Sequence, residues 1–294
     1  RQMCIRDRIY GAIAATTMFL AALVSVWGTA DRIPYLQPPP PKRAMTVRER
    51  FAEVWETLAD RSFAALFVSA IFGAIAGGLS TALTFYFGTF FWGFSSGQIG
   101  VLTLGVFLSA ILGAVLAGPA TRSIGKKQGA IIIGLIAFLG APLPILLKLL
   151  GLLDGWSAQE IFWFVFVTQV IDVGLIITFQ ILTTSMAADL VEQAELRTSR
   201  RSEGVLTGVS TFVRKLVSGL GVLCAGLLLS LAQFPAGAKP GEIPPDAIWT
   251  LGALYVPTIL TLWMAMVAAI AWYRVDRDGH AETLRKIAER KAAS

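Results

Sequence analysis

The sequence predicts an all-α membrane protein with seven transmembrane helices. Of its 294 residues, 55% are hydrophobic and only 15% are charged, and the mean hydropathy is +0.67. A soluble domain carries about 25% charged residues, so this composition excludes a water-soluble globular enzyme. Six long apolar stretches and one shorter one are suited to crossing a bilayer core about 30 Å thick.

The seven apolar stretches are, in chain order, 9–27, 63–90, 99–117, 130–150, 161–188, 205–231 and 247–273. Each is close to the length of about 20 residues that a membrane-spanning helix needs at 1.5 Å per residue. The polar connection 29–62 contains a run of four prolines at 38–41, which is not helical and predicts a stiff linker between two domains.

The second half of this linker has the pattern of an amphipathic helix. Thr46 and Glu49 form a capping box, and apolar residues follow at positions 51, 54, 55 and 58. This spacing places the apolar side chains on one helical face. Two placements stay open: on the membrane surface, or packed against other cytoplasmic loops.

The lysine and arginine residues alternate between connections. Six lie in the linker, three in each of the next two connections on the same side, and six in the C-terminal tail, which makes eighteen. The connections on the opposite side hold only Lys148 and Lys239. The positive-inside rule therefore places the linker and the carboxyl terminus in the cytoplasm, and the net charge of +6 needs no nucleic-acid partner.

With this orientation the first span begins outside, which places the basic residues of 1–8 on the unfavourable side. A cleaved secretory signal would require a cytoplasmic amino terminus, and every later connection would then lie on the opposite side of the membrane, with the eighteen basic residues outside. We therefore expect 1–8 to be a non-native scar and the chain to lack earlier spans. The predicted organisation continues with the last helix of an amino-terminal bundle at 9–28 and the cytoplasmic linker at 29–62. A carboxyl-terminal six-helix bundle at 63–273 and a cytoplasmic tail at 274–294 complete it.

One span before a long linker and six after it resembles helices 6 to 12 of the twelve-helix major facilitator superfamily. The connection after the third stretch strengthens the resemblance. Gly118, Gly125, Lys126 and Lys127 are similar to the superfamily's cytoplasmic signature, in which glycine permits a sharp turn and basic residues stay in water. An ordinary positive-inside turn would explain the same residues.

A more specific resemblance lies at 188–204, which reads ADLVEQAELRTSRRSEG, and at 212–215, which reads FVRK. These segments are similar to the glycoside-pentoside-hexuronide:cation symporter family, also known as the sodium:galactoside symporter family, between its tenth and eleventh helices. The matching features are two acids three residues apart, an Arg-x-Glu pair, and a lysine twelve positions after that glutamate. The residues concerned are Asp189, Glu192, Arg201, Glu203 and Lys215.

The resemblance implies cation-coupled symport of a glycoside or other sugar by alternating access, in a bacterial inner membrane. It implies no cofactor, and it places the coupling cation, Na⁺ or H⁺, mainly in the missing amino-terminal half. The expected partners are the lipid bilayer and a small-molecule solute, with no oligomer required. A facilitator-fold transporter of a lysolipid or other non-sugar amphiphile is the alternative. No nucleophile with a base, no metal cluster and no paired acids occur in the spans, so no catalytic residues are predicted.

The charges inside the apolar stretches are the first candidates for a solute site. Asp172, Arg214 and Lys215 each cost about 2.5–3.5 kcal/mol at a helix centre, so they should face the protein interior or a water-filled cavity. Gln180 and Thr184 add hydrogen-bonding groups that suit a sugar. The resemblance places Lys215 in the central cavity, whereas a structural charge paired with a carbonyl or carboxylate would also explain it. For Asp172, a hydrogen bond in helix packing is the alternative.

The charged segment after the fifth stretch is the candidate cytoplasmic gate. Asp189, Glu192, Arg201 and Glu203 match the family pattern and are expected to form salt bridges that break when the gate opens. Exposed pairs are worth only about 0–1 kcal/mol each, but such a bias suffices between two states of similar free energy. The neighbouring Arg197 and Arg200 are equally well explained as a solvated loop.

Overall fold

The computed structural model describes residues 2–31, 46, 61–198, 203–235, 237 and 241–273. The chain divides into two compact units, 1–49 and 50–294, each of which is described by itself. The described residues form helices and connections, with no β-strand among them. The prediction of an all-α protein is confirmed.

The first unit contains one helix, α1 (Gln2–Ala30). Its segment Arg8–Ala30 is long and apolar enough to cross a membrane, which agrees with the first predicted span. The hydroxyls of Thr17 and Thr29 each donate to the carbonyl four residues earlier, at 2.8 Å, so these polar groups are satisfied within the helix. The predicted amphipathic helix lies outside the described residues except for Thr46, and the C-terminal tail 274–294 also lies outside them.

The second unit is a helical bundle in which every remaining predicted span has a helix. Long apolar helices account for five of these spans, and a shorter apolar segment, Lys215–Leu231, accounts for the sixth. The elements are α2 (Arg61–Tyr86), a π-helix (Phe87–Phe91), α3 (Ser96–Ser123), α4 (Lys126–Gly140), α5 (Leu143–Leu149), α6 (Ala158–Thr198), α7 (Glu203–Leu231) and α8 (Pro245–Ala271).

Capping residues explain where two of these helices begin. The Ser95 hydroxyl accepts the Gln98 backbone N–H at 3.3 Å, and the Gln98 side chain accepts the Ser95 N–H at 2.9 Å. Ser157 and Glu160 make the same reciprocal pair at the start of α6. Both are capping boxes, which supply acceptors for backbone N–H groups that have no hydrogen-bond partner within the first turn of a helix.

Two predicted spans differ in shape from a continuous helix. The stretch 130–150 is broken between α4 and α5, because Pro142 and Pro144 have no N–H to donate and disturb the preceding turn. The stretch 63–90 ends in the π-helix, where the Trp92 N–H donates to the Phe87 carbonyl at 2.9 Å. Neither feature changes the number of spans.

Two helix pairs in the bundle approach closely at glycine. On α3 and α6, a β-carbon at Gly113 would lie 2.8 Å from the Gly174 carbonyl oxygen, and the Thr178 hydroxyl donates to both glycine carbonyls. On α2 and α7, a β-carbon at Gly78 would overlap the Ser218 carbonyl, and one at Gly221 would lie 2.6 Å from the Leu79 nitrogen. Small residues of this kind permit the close contacts by which membrane helices associate.

The last helix, α8, fills the interior between α2 and α4. Its Trp263 ring stacks on Phe138 of α4 with centroids 5.0 Å apart, and Phe138 meets Phe179 of α6 edge-on at 5.1 Å. The Tyr255 and Ser80 hydroxyls hydrogen-bond at 3.1 Å between α8 and α2. The core is therefore aromatic and shared by four helices.

We predict that Gly221→Ala destabilises the bundle by about 1–3 kcal/mol, the usual cost of an overpacked contact. The added methyl group meets the backbone of α2, which cannot move aside as a flexible side chain would. Gly226→Ala on the same helix is the matched control, because nothing lies within 4 Å of its β-carbon position. Thermal unfolding of the purified protein, followed by tryptophan fluorescence, measures both. Equal melting temperatures for the two variants would contradict the close α2–α7 contact.

Candidate functional site

The turn between α3 and α4 leads directly into a salt bridge. Gly125 has a φ of +85°, a conformation that glycine adopts without strain, and it ends the turn at Lys126. The Lys126 Nζ lies 2.7 and 2.8 Å from the two carboxylate oxygens of Asp189 on α6. The side chains are 27% and 10% exposed, respectively, so much of this pair is withdrawn from water. We call this side of the bundle the Lys126 end and the opposite side the Lys148 end.

Tyr273, just after α8, closes over the same corner. Its ring is buried, and its hydroxyl donates to the Met186 carbonyl at 3.4 Å. Burial and the nearby Asp189 carboxylate both raise the pKa of the Tyr273 phenol, so it remains a neutral donor. α4, α6 and the end of α8 thus meet around one buried carboxylate at the Lys126 end.

Of the residues of the predicted gate, the structure describes the side chain of Asp189. Asp189 is engaged in a salt bridge with Lys126, sixty-three positions earlier in the chain. Arg201 and the side chains of Glu192 and Glu203 lie outside the described residues, and their gate role stays a prediction. The turn signature and the acidic motif, singled out separately in the sequence, are therefore in direct contact.

The exposed surface of α7 is divided lengthwise into two sectors. At 100° per residue, one sector carries small or polar residues with Val222 as its larger apolar member, and the adjacent sector carries only leucine. The first sector contains Thr211, Lys215, Gly219, Val222, Gly226 and Ser230, and the second contains Leu216, Leu220, Leu223, Leu227 and Leu231, all of them exposed. The leucine sector suits lipid, and the small-and-polar sector suits water or a polar solute.

α2 and α6 also have exposed faces with small or polar side chains. On α2 these are Ala70, Gly77, Thr81 and Thr84, with Phe85 at the margin. On the half of α6 near the Lys126 end, Gln180 and Thr184 are exposed. By contrast, the exposed residues of α4 between 132 and 139 are the apolar Ile132, Leu135, Ile136 and Leu139.

The small-and-polar faces of α2 and α7 lie on one side of that helix pair. Three spans separate the two helices along the chain, so both run in the same direction. On each helix, the small-and-polar face is rotated by about 100° about the helix axis from the glycine contact, clockwise on one helix and anticlockwise on the other. Because the two helices run in the same direction and touch at that contact, these opposite rotations turn both faces to the same side of the pair. We call this joint surface of α2 and α7 the polar face; the exposed Gln180 and Thr184 lie on α6, which also contacts α2.

The predicted cavity residues divide between this polar face and the helix interior. Lys215 lies on the polar face and Gln180 and Thr184 are exposed on α6, and their contact with a solute stays a prediction. Asp172 is half-buried and lies beside Gly140 at the end of α4. The Arg214 side chain lies outside the described residues, so its role stays a prediction.

Two polar contacts were not predicted from the sequence. The Lys148 Nζ donates to the Phe91 carbonyl at the end of the π-helix and lies 4.8 and 4.9 Å from the ring centres of Phe91 and Trp92. The Gln169 amide donates to the Leu102 carbonyl on α3 at 3.0 Å. A lone lysine and a lone glutamine in apolar runs signal a need for partners, but not which partners they find.

We predict a favourable coupling free energy of about 0.5–3 kcal/mol between Lys126 and Asp189, as for residues in direct contact. The cycle comprises Lys126→Ala, Asp189→Asn and the double variant, each measured by unfolding of the purified protein. Because the effects of the two single substitutions are subtracted from that of the double variant, the contribution of other Asp189 contacts cancels from the coupling free energy. Lys127→Ala paired with Asp189→Asn is the control, because Lys127 forms no ion pair with the described residues, and its coupling should be near zero. Equal coupling in both cycles would contradict a specific salt bridge.

Comparison with known proteins agrees with this architecture. Residues 7–277 match the family described as MFS/sugar transport protein. The isoprimeverose transporter of Lactiplantibacillus pentosus is 27% identical over 176 residues, which cover 59% of this chain and 34% of the length of that protein. The chain thus matches about a third of that relative. Since the family match extends over nearly all of the seven helices, the chain belongs to the MFS/sugar transport protein family.

Proposed function

We propose that the protein carrying this chain is a secondary active transporter that moves a sugar across a membrane by alternating access, coupled to a cation. The observation that supports it most directly is the polar face, which offers exposed hydrogen-bonding groups within helices that are otherwise apolar. A transporter of this class binds its solute near the bilayer midplane, between two bundles that rock against each other. The polar face is the surface that this bundle would contribute.

The depth of the polar residues supports a solute site. Lys215 lies twelve residues after the start of α7 and sixteen before its end, which corresponds to about 18 and 24 Å along the helix. Gln180 lies ten residues before the end of the apolar segment Ala158–Leu190, about 15 Å. An amide, a hydroxyl and an ammonium group at these depths would replace the hydrogen bonds that a sugar gives up when it leaves water.

The substrate class follows from the family and the relative. We propose a glycoside, with isoprimeverose as the first compound to test, since a similar protein is named as a transporter of that sugar. We further propose that the coupling cation binds mainly outside this chain, and that one copy of the protein suffices for transport. A small-and-polar face favours a hydroxylated solute over a lysolipid, whose acyl chain requires apolar surface.

The orientation and location are part of the same proposal. The basic residues concentrate in the connections at the Lys126 end and in the tail, which supports a cytoplasmic Lys126 end and a cytoplasmic carboxyl terminus. We propose a bacterial inner membrane as the location. The salt bridge between Lys126 and Asp189 would then lie at the cytoplasmic gate.

We predict that Lys215→Ala lowers the initial rate of isoprimeverose uptake about 10- to 100-fold, because a hydrogen bond to a charged group is worth about 1.5–3 kcal/mol. Leu216→Ala, on the adjacent leucine sector, should leave the rate within about twofold, as surface substitutions usually do. Uptake into proteoliposomes that contain the full-length protein measures both variants. Unchanged uptake by Lys215→Ala would remove that residue from the site. Movement of a lysolipid in the same vesicles without sugar uptake would overturn the sugar proposal.

We predict that cysteines on the two sectors of α7 differ in reactivity. Cys4 and Cys224 are first replaced by serine. Gly219→Cys and Gly226→Cys should react with a membrane-impermeant thiol reagent, because a solute pathway contains water. Their neighbours Leu220→Cys and Leu227→Cys should not react, because a thiolate does not form in lipid. The same reactivity at all four positions would contradict a separate polar sector.

A further inference from the structure

Asp172 is a carboxylate within the membrane-spanning part of α6 that forms no salt bridge with the side chains that the structure describes. The salt bridge found among the described residues joins Lys126 to Asp189 and does not involve Asp172. The side chain lies against the end of α4, since a β-carbon added at Gly140 would be 2.7 Å from the Asp172 Oδ1. A carboxylate at such a position needs a partner, a proton or a cation to remain in a helix bundle.

At the end of α4, next to this carboxylate, the backbone carbonyls of the proline break are hydrogen-bond acceptors. Pro142 and Pro144 lack an N–H, so the carbonyls of Phe138 and Gly140 lose the donors that a continuous helix would supply. The described backbone hydrogen bonds at the break run from Ala141 to Ala137 and from Leu146 to Pro142, and neither of them ends on the carbonyl of Phe138 or Gly140. The Asp172 carboxylate therefore lies beside a residue whose carbonyl has lost its helical donor.

The donors closest in sequence are already engaged elsewhere. Gln169, one turn before Asp172, donates to the Leu102 carbonyl of α3, and Lys148 of α5 donates to the Phe91 carbonyl. Charged residues on the helices packed against α6 lie at the helix ends, at Arg61 of α2, at Arg122 of α3, and at Lys126 and Lys127 of α4. Among the described residues, no titratable group of those helices faces Asp172 in mid-membrane.

We propose that Asp172 is a proton-binding site in this bundle, additional to the cation site that we place outside this chain and needed with it for coupling, with the protonated carboxyl donating to a carbonyl of the proline break between α4 and α5. A proton on the carboxyl supplies a donor beside a proline break whose carbonyls have lost their helical donors. Because one partner lies on α4 and the other on α6, protonation links two helices, and this is how it would act on the rocking bundle.

The proposal rests on the proposed cation-coupled transport, so the first experiment is independent of any sugar. Infrared difference spectra of the purified full-length protein, between about pH 4 and about pH 9, report the C=O stretch of protonated carboxyl groups. We expect one such band to disappear in Asp172→Asn and to persist in Asp172→Glu. Glu160→Gln, in the first turn of the same helix, is the matched control and should keep the band. An unchanged spectrum in Asp172→Asn, or loss of the band on adding Na⁺ at constant pH, would overturn the proposal.

The second experiment measures coupling in proteoliposomes. The Asp172→Asn side chain imitates the protonated state, so exchange of sugar across the membrane should continue within about twofold while uptake driven by a pH gradient falls about tenfold or more. Continued exchange also shows that the variant is folded, and Asp172→Glu should restore the gradient-driven uptake. Unaltered gradient-driven uptake in Asp172→Asn would overturn the proton site. Absence of sugar transport by the unmodified protein would instead refute the proposed function, and the infrared result would then decide the proton site alone.

Discussion

The close approach of helix backbones at glycine is the constraint on which the remaining structure depends. In lipid there is no hydrophobic force to press helices together, so association relies on packing and on interhelical hydrogen bonds. Gly78 and Gly221 bring α2 and α7 into backbone contact, and Gly113 and Gly174 do the same for α3 and α6. This spacing sets the rotation of α2 and α7, and that rotation places their small-and-polar faces on one side.

Polar groups in the bundle are satisfied in different ways at different depths. At the Lys126 end, a lysine and an aspartate neutralise each other beside a buried tyrosine. At the Lys148 end, the lysine is held by a carbonyl and two aromatic rings. Between the ends, Lys215 on α7 and Gln180 and Thr184 on α6 are exposed. Fixed contacts therefore lie at both ends of the bundle, and exposed polar side chains lie at mid-depth.

The sequence predicted the helices well because hydropathy is a local property. The last span was expected at 247–273 and the helix runs over Pro245–Ala271. The break at Pro142 has a visible cause in the sequence, yet it was not predicted, because prolines are also accommodated within spans, as Pro119 and Pro257 are. The π-helix at Phe87–Phe91 has no comparable signal. The sequence singled out Asp189 in the acidic motif and Lys126 in the turn, but it did not predict their contact, because the two residues meet only through the packing of α4 against α6.

By itself, the sequence determined that the chain crosses a membrane, how many times it does so, and which family resemblance it bears. These conclusions depend on the composition and spacing of short segments, and such segments insert according to their own hydropathy. The tertiary structure decided which helix faces are covered, that Lys126 binds Asp189, and that Asp172 lies beside a broken helix rather than beside Lys215. Those outcomes depend on how helices cross, and the crossings are set by backbone contacts between residues far apart in the chain.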